Sequence, residues 1–116
     1  MIKIYHNPRC GKSREGLAIL EKSQQKFEIV KYLETPPTRV ELENLIKQLG
    51  NTPIELVRVK EEIWIKKFKN IELCEAQIIE AMIQFPILIE RPIISDGKNA
   101  VLGRPPEKIH VFLNNI

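Results

Sequence analysis

The stretch that decides the fold is residues 1–34, which read MIKIYHNPRCGKSREGLAILEKSQQKFEIVKYLE. The apolar run at 2–5 predicts a short strand, which the Asn7-Pro8 turn signal ends. Apolar spacing then predicts a helix over 10–23, and the pattern at 27–33 predicts a second strand. The core-facing stripe of the helix is expected at Leu17, Ala18, Leu20 and Glu21. Strand, helix and strand in this order predict a βαβ unit with parallel strands.

The middle of the chain is predicted to be helical, and the starts of its helices are clearly marked. A capping box at 38–41 and a second one at 52–55 each predict the N-terminus of a helix. Amphipathic patterns at 61–69 and 78–83 predict two further helices. We therefore expect a helical insertion at about 38–85.

The last part of the chain reads as strands followed by a helix. Strand character returns at 87–89 and at 93–94, and a turn at 95–99 leads to another strand at 100–102. The runs on either side of that turn predict a β-hairpin. The Pro105-Pro106 pair then starts the last helix.

The order of these elements is β-α-β, several helices, then β-β-α. With Pro92 just before the third strand, this is the thioredoxin layout with a helical insertion. We expect an α/β fold of this kind, with a central four-stranded mixed sheet in a single domain over 1–116. The Arg91-Pro92 bond is a candidate for a cis peptide.

Composition narrows the class of protein. Hydrophobic residues at 43% and charged residues at 28% are typical of a globular chain. The net charge of +3 is mild, basic residues are spread out and aromatics are only 6%, so we expect an anionic ligand and no nucleic acid. No run is long enough to cross a membrane, and the start predicts no signal peptide. Two distant cysteines then indicate reduced thiols in the cytoplasm.

Cys10 stands where the first strand and its turn meet the first helix. The free backbone N–H groups and the dipole of a helix N-terminus favour an anion there. His6, Arg9, Lys12 and Arg14 add nearby positive charge. Together these features favour the thiolate, which is the reactive form, and the same position could hold an oxyanion. The alternative is a small apolar filler at an element boundary.

The residues after the cysteine exclude three familiar motifs. The letters GKS match the tail of a nucleotide P-loop, but its first glycine would fall on His6. A cysteine-phosphatase loop needs an arginine where this chain has Gly16, and a dithiol motif needs a cysteine where it has Ser13. A monothiol at Cys10 remains, and its partner thiol must come from outside the chain unless Cys74 serves. Cys74 opens an apolar helix and is expected to be buried and inert.

Three arginines stand apart from the lysine-rich remainder: Arg58, Arg91 and Arg104. Arg91 interrupts an apolar stretch, and a thioredoxin-like layout would bring it close to Cys10. The planar fork of arginine binds tetrahedral oxyanions through two parallel bonds, which lysine cannot imitate. The alternative for each arginine is a solvated surface charge.

These residues resemble a known family. The motifs are YHNPRCGKSRE, YLETPPTRVELENLI, LVR, PILIERPII and LGRPPE, in order along nearly the whole chain. They look like the glutaredoxin-linked arsenate reductases of the thioredoxin superfamily. The cysteine motif and the three arginines at matching places are the most specific parts of this resemblance.

The resemblance implies a role for each matching residue. It implies that Cys10 is the catalytic nucleophile and that His6 helps to keep it ionised. It implies that arsenate and the arsenite product are bound by Arg58, Arg91 and Arg104. Ser13 and Arg14 also match the motif and are expected to have supporting roles. No metal and no bound cofactor are expected.

The resemblance also implies a reaction and its partners. The cysteine attacks arsenic to form an adduct, glutathione attacks the adduct as co-substrate, and glutaredoxin removes the glutathione as arsenite leaves. Two alternatives share the fold: a monothiol, glutathione-dependent reductase of another substrate, and a redox regulator that binds RNA polymerase. Such regulators usually carry two cysteines separated by two residues, so Ser13 argues against the regulator. The full arginine set argues against the generic reductase.

Overall fold

The computed structural model describes residues 1–116 and divides the chain into two compact units. The first, here called the sheet unit, consists of Met1–Thr35 and Arg91–Ile116. The second, the helical unit, is Pro36–Glu90, and the predicted insertion at 38–85 falls within it. The description of the chain as one domain stays a prediction.

The sheet unit contains one four-stranded mixed sheet. Its strands are β1 (Ile2–Tyr5), β2 (Phe27–Val30), β3 (Ile93–Ser95) and β4 (Ala100–Leu102). They lie in the order β2-β1-β3-β4, with β1 parallel to β2 and antiparallel to β3. In this register Ile4 pairs with Ile29 on one side and with Ile94 on the other. The predicted α/β class, the mixed sheet, the parallel βαβ pairing and the β3–β4 hairpin are confirmed.

Two helices belong to the sheet unit. Helix α1 is Gly11–Lys22 and helix α5 is Glu107–Asn114, as the apolar spacing predicts. The buried face of α1 is formed by Ser13, Gly16 and Leu20. Of the core-facing stripe predicted from the sequence, Leu20 is buried and Leu17 is partly buried. Ala18 and Glu21 are exposed, so that part of the prediction was wrong. The core is formed by Ile2, Ile4, Leu20, Ile94 and Ile109.

The helical unit contains helices α2 (Arg39–Leu49), α3 (Glu62–Lys67) and α4 (Glu75–Gln84). The first capping box is confirmed, since Thr38 and Glu41 exchange side-chain to backbone hydrogen bonds. Helix α2 ends at Gly50, whose φ of 70° is the left-handed conformation that glycine adopts without steric cost. The second capping box starts only a short 3₁₀ helix, Pro53–Leu56.

Two predicted strands differ from the structure. The second strand was expected over 27–33 but ends at Val30, because the Lys31 carbonyl accepts hydrogen bonds from Glu34 and Thr35 and makes a turn. The predicted strand at 87–89 was wrong. Pro86–Leu88 forms a 3₁₀ turn, and Ile89 makes only one isolated bridge, to Val57. A short apolar run has no periodicity that separates a strand from another buried segment.

Two further local features bear on the sequence interpretation. The Arg91-Pro92 bond is cis, and so is Arg104-Pro105. Cys74 was expected to be buried, but it is exposed and caps the N-terminus of α4. A cap residue stands outside the helix it starts, so an apolar pattern inside the helix does not bury it.

Candidate active site

Cys10 is the residue from which α1 starts. Its backbone is extended (φ −97°, ψ 124°), and its carbonyl accepts the first hydrogen bond of the helix from the Arg14 N–H at 3.0 Å. The turn before it is closed by the Cys10 N–H, which donates to the Asn7 carbonyl at 3.0 Å. The Asn7 side chain accepts from the Arg9 N–H at 3.0 Å. This turn places the thiol over the first turn of α1, where backbone N–H groups are free to donate.

Two of the predicted arginines meet the thiol. Arg104 donates from Nη2 to Sγ of Cys10 at 3.4 Å, and its Nε donates to the Arg91 carbonyl at 2.7 Å. The side chain of Arg91 is 5% exposed and also hydrogen-bonds the Cys10 thiol. The guanidinium of Arg104 is therefore held at both ends, between a backbone carbonyl and the sulfur. Planar, multiply donating arginine suits this arrangement.

These contacts set the ionisation of the thiol. Partial burial by itself raises the pKa of Cys10. Hydrogen bonds from the Ser13 N–H, the Arg91 side chain and the Lys12 N–H outweigh it, and the charge of Arg91 acts in the same direction. The pKa of Cys10 is consequently lowered, so more of it is thiolate at a given pH.

This shift predicts a pH profile. Because the pKa of Cys10 is lowered, its alkylation by iodoacetamide is expected to reach half its maximal rate at a lower pH than that of free glutathione. The measurement uses the Cys74→Ser variant, in which Cys10 is the remaining thiol. Serine is a good helix cap, so this background keeps the start of α4. A profile that coincides with that of glutathione would contradict the prediction.

His6 acts on this site through Ser13. Nδ1 of His6 lies 2.6 Å from the Ser13 hydroxyl, which also accepts from the Asn7 N–H at 3.0 Å, and all three residues are buried. Burial and the charges of Lys31 and Arg14 lower the pKa of His6 and outweigh a backbone hydrogen bond of Ser13. A lowered pKa favours the neutral ring over the charged one. The role of His6 in keeping Cys10 ionised stays a prediction.

The other basic residues near the cysteine point elsewhere. Arg14 is exposed and donates from Nη1 to the Pro8 carbonyl at 3.0 Å. Lys12 forms an exposed ion pair with Glu15 at 3.8 Å, a kind of contact that contributes little. The guanidinium group that donates to the sulfur, that of Arg104, comes from a distant part of the chain. The supporting roles of Ser13 and Arg14 stay predictions.

Arg58 belongs to the helical unit. Its Nε and Nη1 each pair with a carboxylate, of Glu61 and of Glu90, both at 3.1 Å. Its backbone N–H donates to the Leu88 carbonyl at 2.7 Å. The sequence analysis named neither glutamate, although Glu61, three residues after Arg58, is a signal for such a pair. The role of Arg58 in binding substrate stays a prediction.

No group of three or more histidine, cysteine or acidic side chains is arranged to hold a metal ion. No helix is long and apolar enough to span a membrane.

Cys10 is a single cysteine at the start of the first helix of a βαβ unit, and two arginines contact its sulfur. These features define a thioredoxin-like protein with one thiol in its site. Residues 5–112 match the model of the ArsC family, and the chain belongs to that family. It is 40% identical over 114 residues to an arsenate reductase of Neisseria meningitidis, covering 97% of each chain. It is 44% identical over 110 residues to the uncharacterized protein YfgD of Escherichia coli, covering 93% of this chain and 92% of that protein.

The solved structures agree with this family. An arsenate reductase from Vibrio cholerae has a TM-score of 0.89 and 42% sequence identity, covering 95% of each chain. This similarity confirms the thioredoxin-like fold class that the element order predicts.

Proposed function

We propose that this protein reduces arsenate to arsenite with Cys10 as the nucleophile. The observation that carries the proposal is the contact of the Cys10 sulfur with Arg91 and Arg104, in a site where the pKa of the thiol is lowered. Membership of the ArsC family and 40% identity to an arsenate reductase along 97% of the chain support arsenate as the substrate.

The first step joins two negatively charged groups. The thiolate attacks arsenic, a sulfur–arsenic bond forms, and an arsenic–oxygen bond breaks as one oxygen takes up protons and leaves as water. Arsenic remains As(V) in this adduct. Arg91 and Arg104 offset the repulsion because their fixed charges stabilise both the sulfur and the oxyanion.

The second step needs electrons from outside the chain. Ser13 stands where a second site cysteine would be, so the protein has no resolving thiol next to Cys10. Two glutathione molecules supply two electrons, become one disulfide and convert As(V) to As(III), with release of arsenite and of the free Cys10 thiolate. A glutaredoxin thiol takes the first glutathione from arsenic as a mixed disulfide, and the second glutathione releases it from glutaredoxin as glutathione disulfide. Glutathione is thus a co-substrate, and no bound cofactor takes part.

Arg58 is proposed to bind the arsenate oxyanion as well. Its guanidinium is paired with Glu61 and Glu90, both of which are only partly exposed. The planar fork of arginine that pairs with these carboxylates is also suited to binding an oxyanion.

The test is a reconstituted assay with purified protein, arsenate, glutathione and a glutaredoxin. We expect one arsenite for each glutathione disulfide formed, measured by separation of the arsenic species. Omitting glutathione should stop turnover, and omitting glutaredoxin should slow it. If the wild-type protein forms no arsenite with all components present, arsenate reduction is excluded as its function. Turnover with glutathione on another oxyanion would then favour the generic monothiol reductase.

A further inference from the structure

The residue next to Arg91 lies in an unusually tight contact. Pro92 and Ile109 both lie close to Gly16 and to Gly103, and all four residues are buried. A Cβ atom added at Gly16 would lie 2.8 Å from Cγ of Pro92 and 3.1 Å from Cδ1 of Ile109. One added at Gly103 would lie 2.7 Å from Cδ1 of Ile109 and 3.0 Å from Cγ of Pro92. Carbon atoms pack at about 3.5–4.0 Å, so a methyl group at either position would force a neighbouring atom to move.

This contact joins the three segments that build the thiol site. Gly16 lies on α1, the helix that Cys10 starts. Gly103 directly precedes Arg104, and its N–H donates to the Pro92 carbonyl at 2.9 Å. At the neighbouring residues, Arg104 after Gly103 and Arg91 before Pro92, Arg104 Nε donates to the Arg91 carbonyl at 2.7 Å. The separation of these segments therefore decides how far the two guanidinium groups lie from the sulfur.

We propose that Gly16 and Gly103 are positioning residues, which let α1 and the Gly103–Arg104 segment approach Pro92 closely enough for Arg91 and Arg104 to contact Cys10. The proposal deepens the proposed function by naming what holds its site together, but it rests on the thiol contacts and not on arsenate. The contact of Arg104 with sulfur is 3.4 Å long, so there is little room to lengthen it. A methyl group at either glycine pushes α1 or the Gly103–Arg104 segment away from Pro92. This movement breaks the contact between Arg104 and the sulfur.

The test measures the ionisation of Cys10, which needs no substrate. Gly103→Ala and Gly16→Ala are made in the Cys74→Ser background, and iodoacetamide alkylation of Cys10 is followed across pH. We expect the profile to move to higher pH, with the rate at mildly acidic pH falling about tenfold, because the thiolate loses contacts with positive charge. At alkaline pH the rates should converge with the parent, since the thiol is then ionised in every variant.

Gly11→Ala is the matched control on α1. A Cβ there meets only Nη2 of Arg14, at 3.7 Å, which is an ordinary contact. The same substitution one and a half turns earlier should leave the profile unchanged. Because alanine forms helices better than glycine, propensity alone would favour both α1 variants, and only packing separates them.

Ile109→Val gives a second-site test that depends on single atoms. It removes Cδ1, the atom nearest to a Cβ at Gly103, so Gly103→Ala with Ile109→Val should regain part of the lost rate. Gly16→Ala should gain much less, because its closest contact is Cγ of Pro92. Ile109→Val alone sets the baseline. If Gly103→Ala does not fold, the double variant takes its place. Its alkylation should still reach half its maximal rate at a higher pH than that of the parent.

Three results would overturn the proposal. One is a folded Gly103→Ala or Gly16→Ala protein whose profile matches the parent, with folding checked by circular dichroism. Another is a rate lowered equally at every pH, which would mean changed access to the thiol. The last is equal rescue of both alanine variants by Ile109→Val. If the wild-type protein makes no arsenite, the proposed function is excluded. This test is unaffected, because alkylation of Cys10 needs no arsenate.

Discussion

Replacing Cys10 with serine is expected to reduce arsenite formation by about 10⁴-fold or more, because the reaction loses its nucleophile. The backbone N–H groups and Arg91 that favour a thiolate cannot ionise a serine hydroxyl near neutral pH. Oxygen in place of sulfur also forms no sulfur–arsenic bond for glutathione to attack. The measurement is initial arsenite formation in the complete assay with glutathione and glutaredoxin.

The matched control is Cys74→Ser, the same change at the other cysteine. Cys74 is exposed and serves as the cap of α4, a role that serine fills well, so activity should stay close to that of the wild type. If Cys10→Ser keeps substantial activity, Cys10 is not the nucleophile. If Cys74→Ser abolishes activity, Cys74 is the resolving thiol and the glutathione scheme is wrong.

Arg104→Lys is expected to lower kcat/KM for arsenate by about 10- to 100-fold although the charge is kept. Arg104 makes two contacts at once, from Nε to the Arg91 carbonyl and from Nη2 to the Cys10 sulfur. The single ammonium group of lysine cannot reproduce this fork. One lost hydrogen bond to a charged group costs about 1.5–3 kcal/mol, which gives the stated range. The alkylation profile of Cys10 should also move to higher pH.

Arg39→Lys is the control for this substitution. Arg39 pairs with Glu80 on the partly exposed surface of the helical unit, and such a pair contributes little. We expect unchanged kcat/KM and an unchanged alkylation profile. An Arg104→Lys protein with full activity would show that positive charge alone is needed at this position, and the argument from the fork would be wrong.

Much of the fold could be predicted because its signals are local. The Asn7-Pro8 turn, the capping box at 38–41 and Gly50 each act on backbone within a few residues of themselves, and the structure has all three. The same holds for the position of Cys10, since a residue that follows a turn and precedes a helix is a helix cap. The prediction of a monothiol site rests on Ser13 alone.

The errors arose where burial depends on distant contacts. The apolar run at 87–89 lies in the helical unit as a 3₁₀ turn and a bridge to Val57, which no local pattern distinguishes from a strand. His6 was interpreted as a charge near Cys10, but burial lowers its pKa and its Nδ1 lies against the Ser13 hydroxyl. Gly16 was noted only as a missing arginine.

The sequence by itself determined the class of the sheet, the place of the cysteine and the kind of side chain that an oxyanion would need. Those features follow from hydrogen bonding and sterics among neighbouring residues. Only the tertiary structure decided that Arg91 and Arg104 meet on the sulfur, that Arg58 is held by two carboxylates, and that Pro92 needs glycines around it. The physical reason is that close packing and charge pairing act through distance in space, and segments far apart in the chain set that distance only when folded.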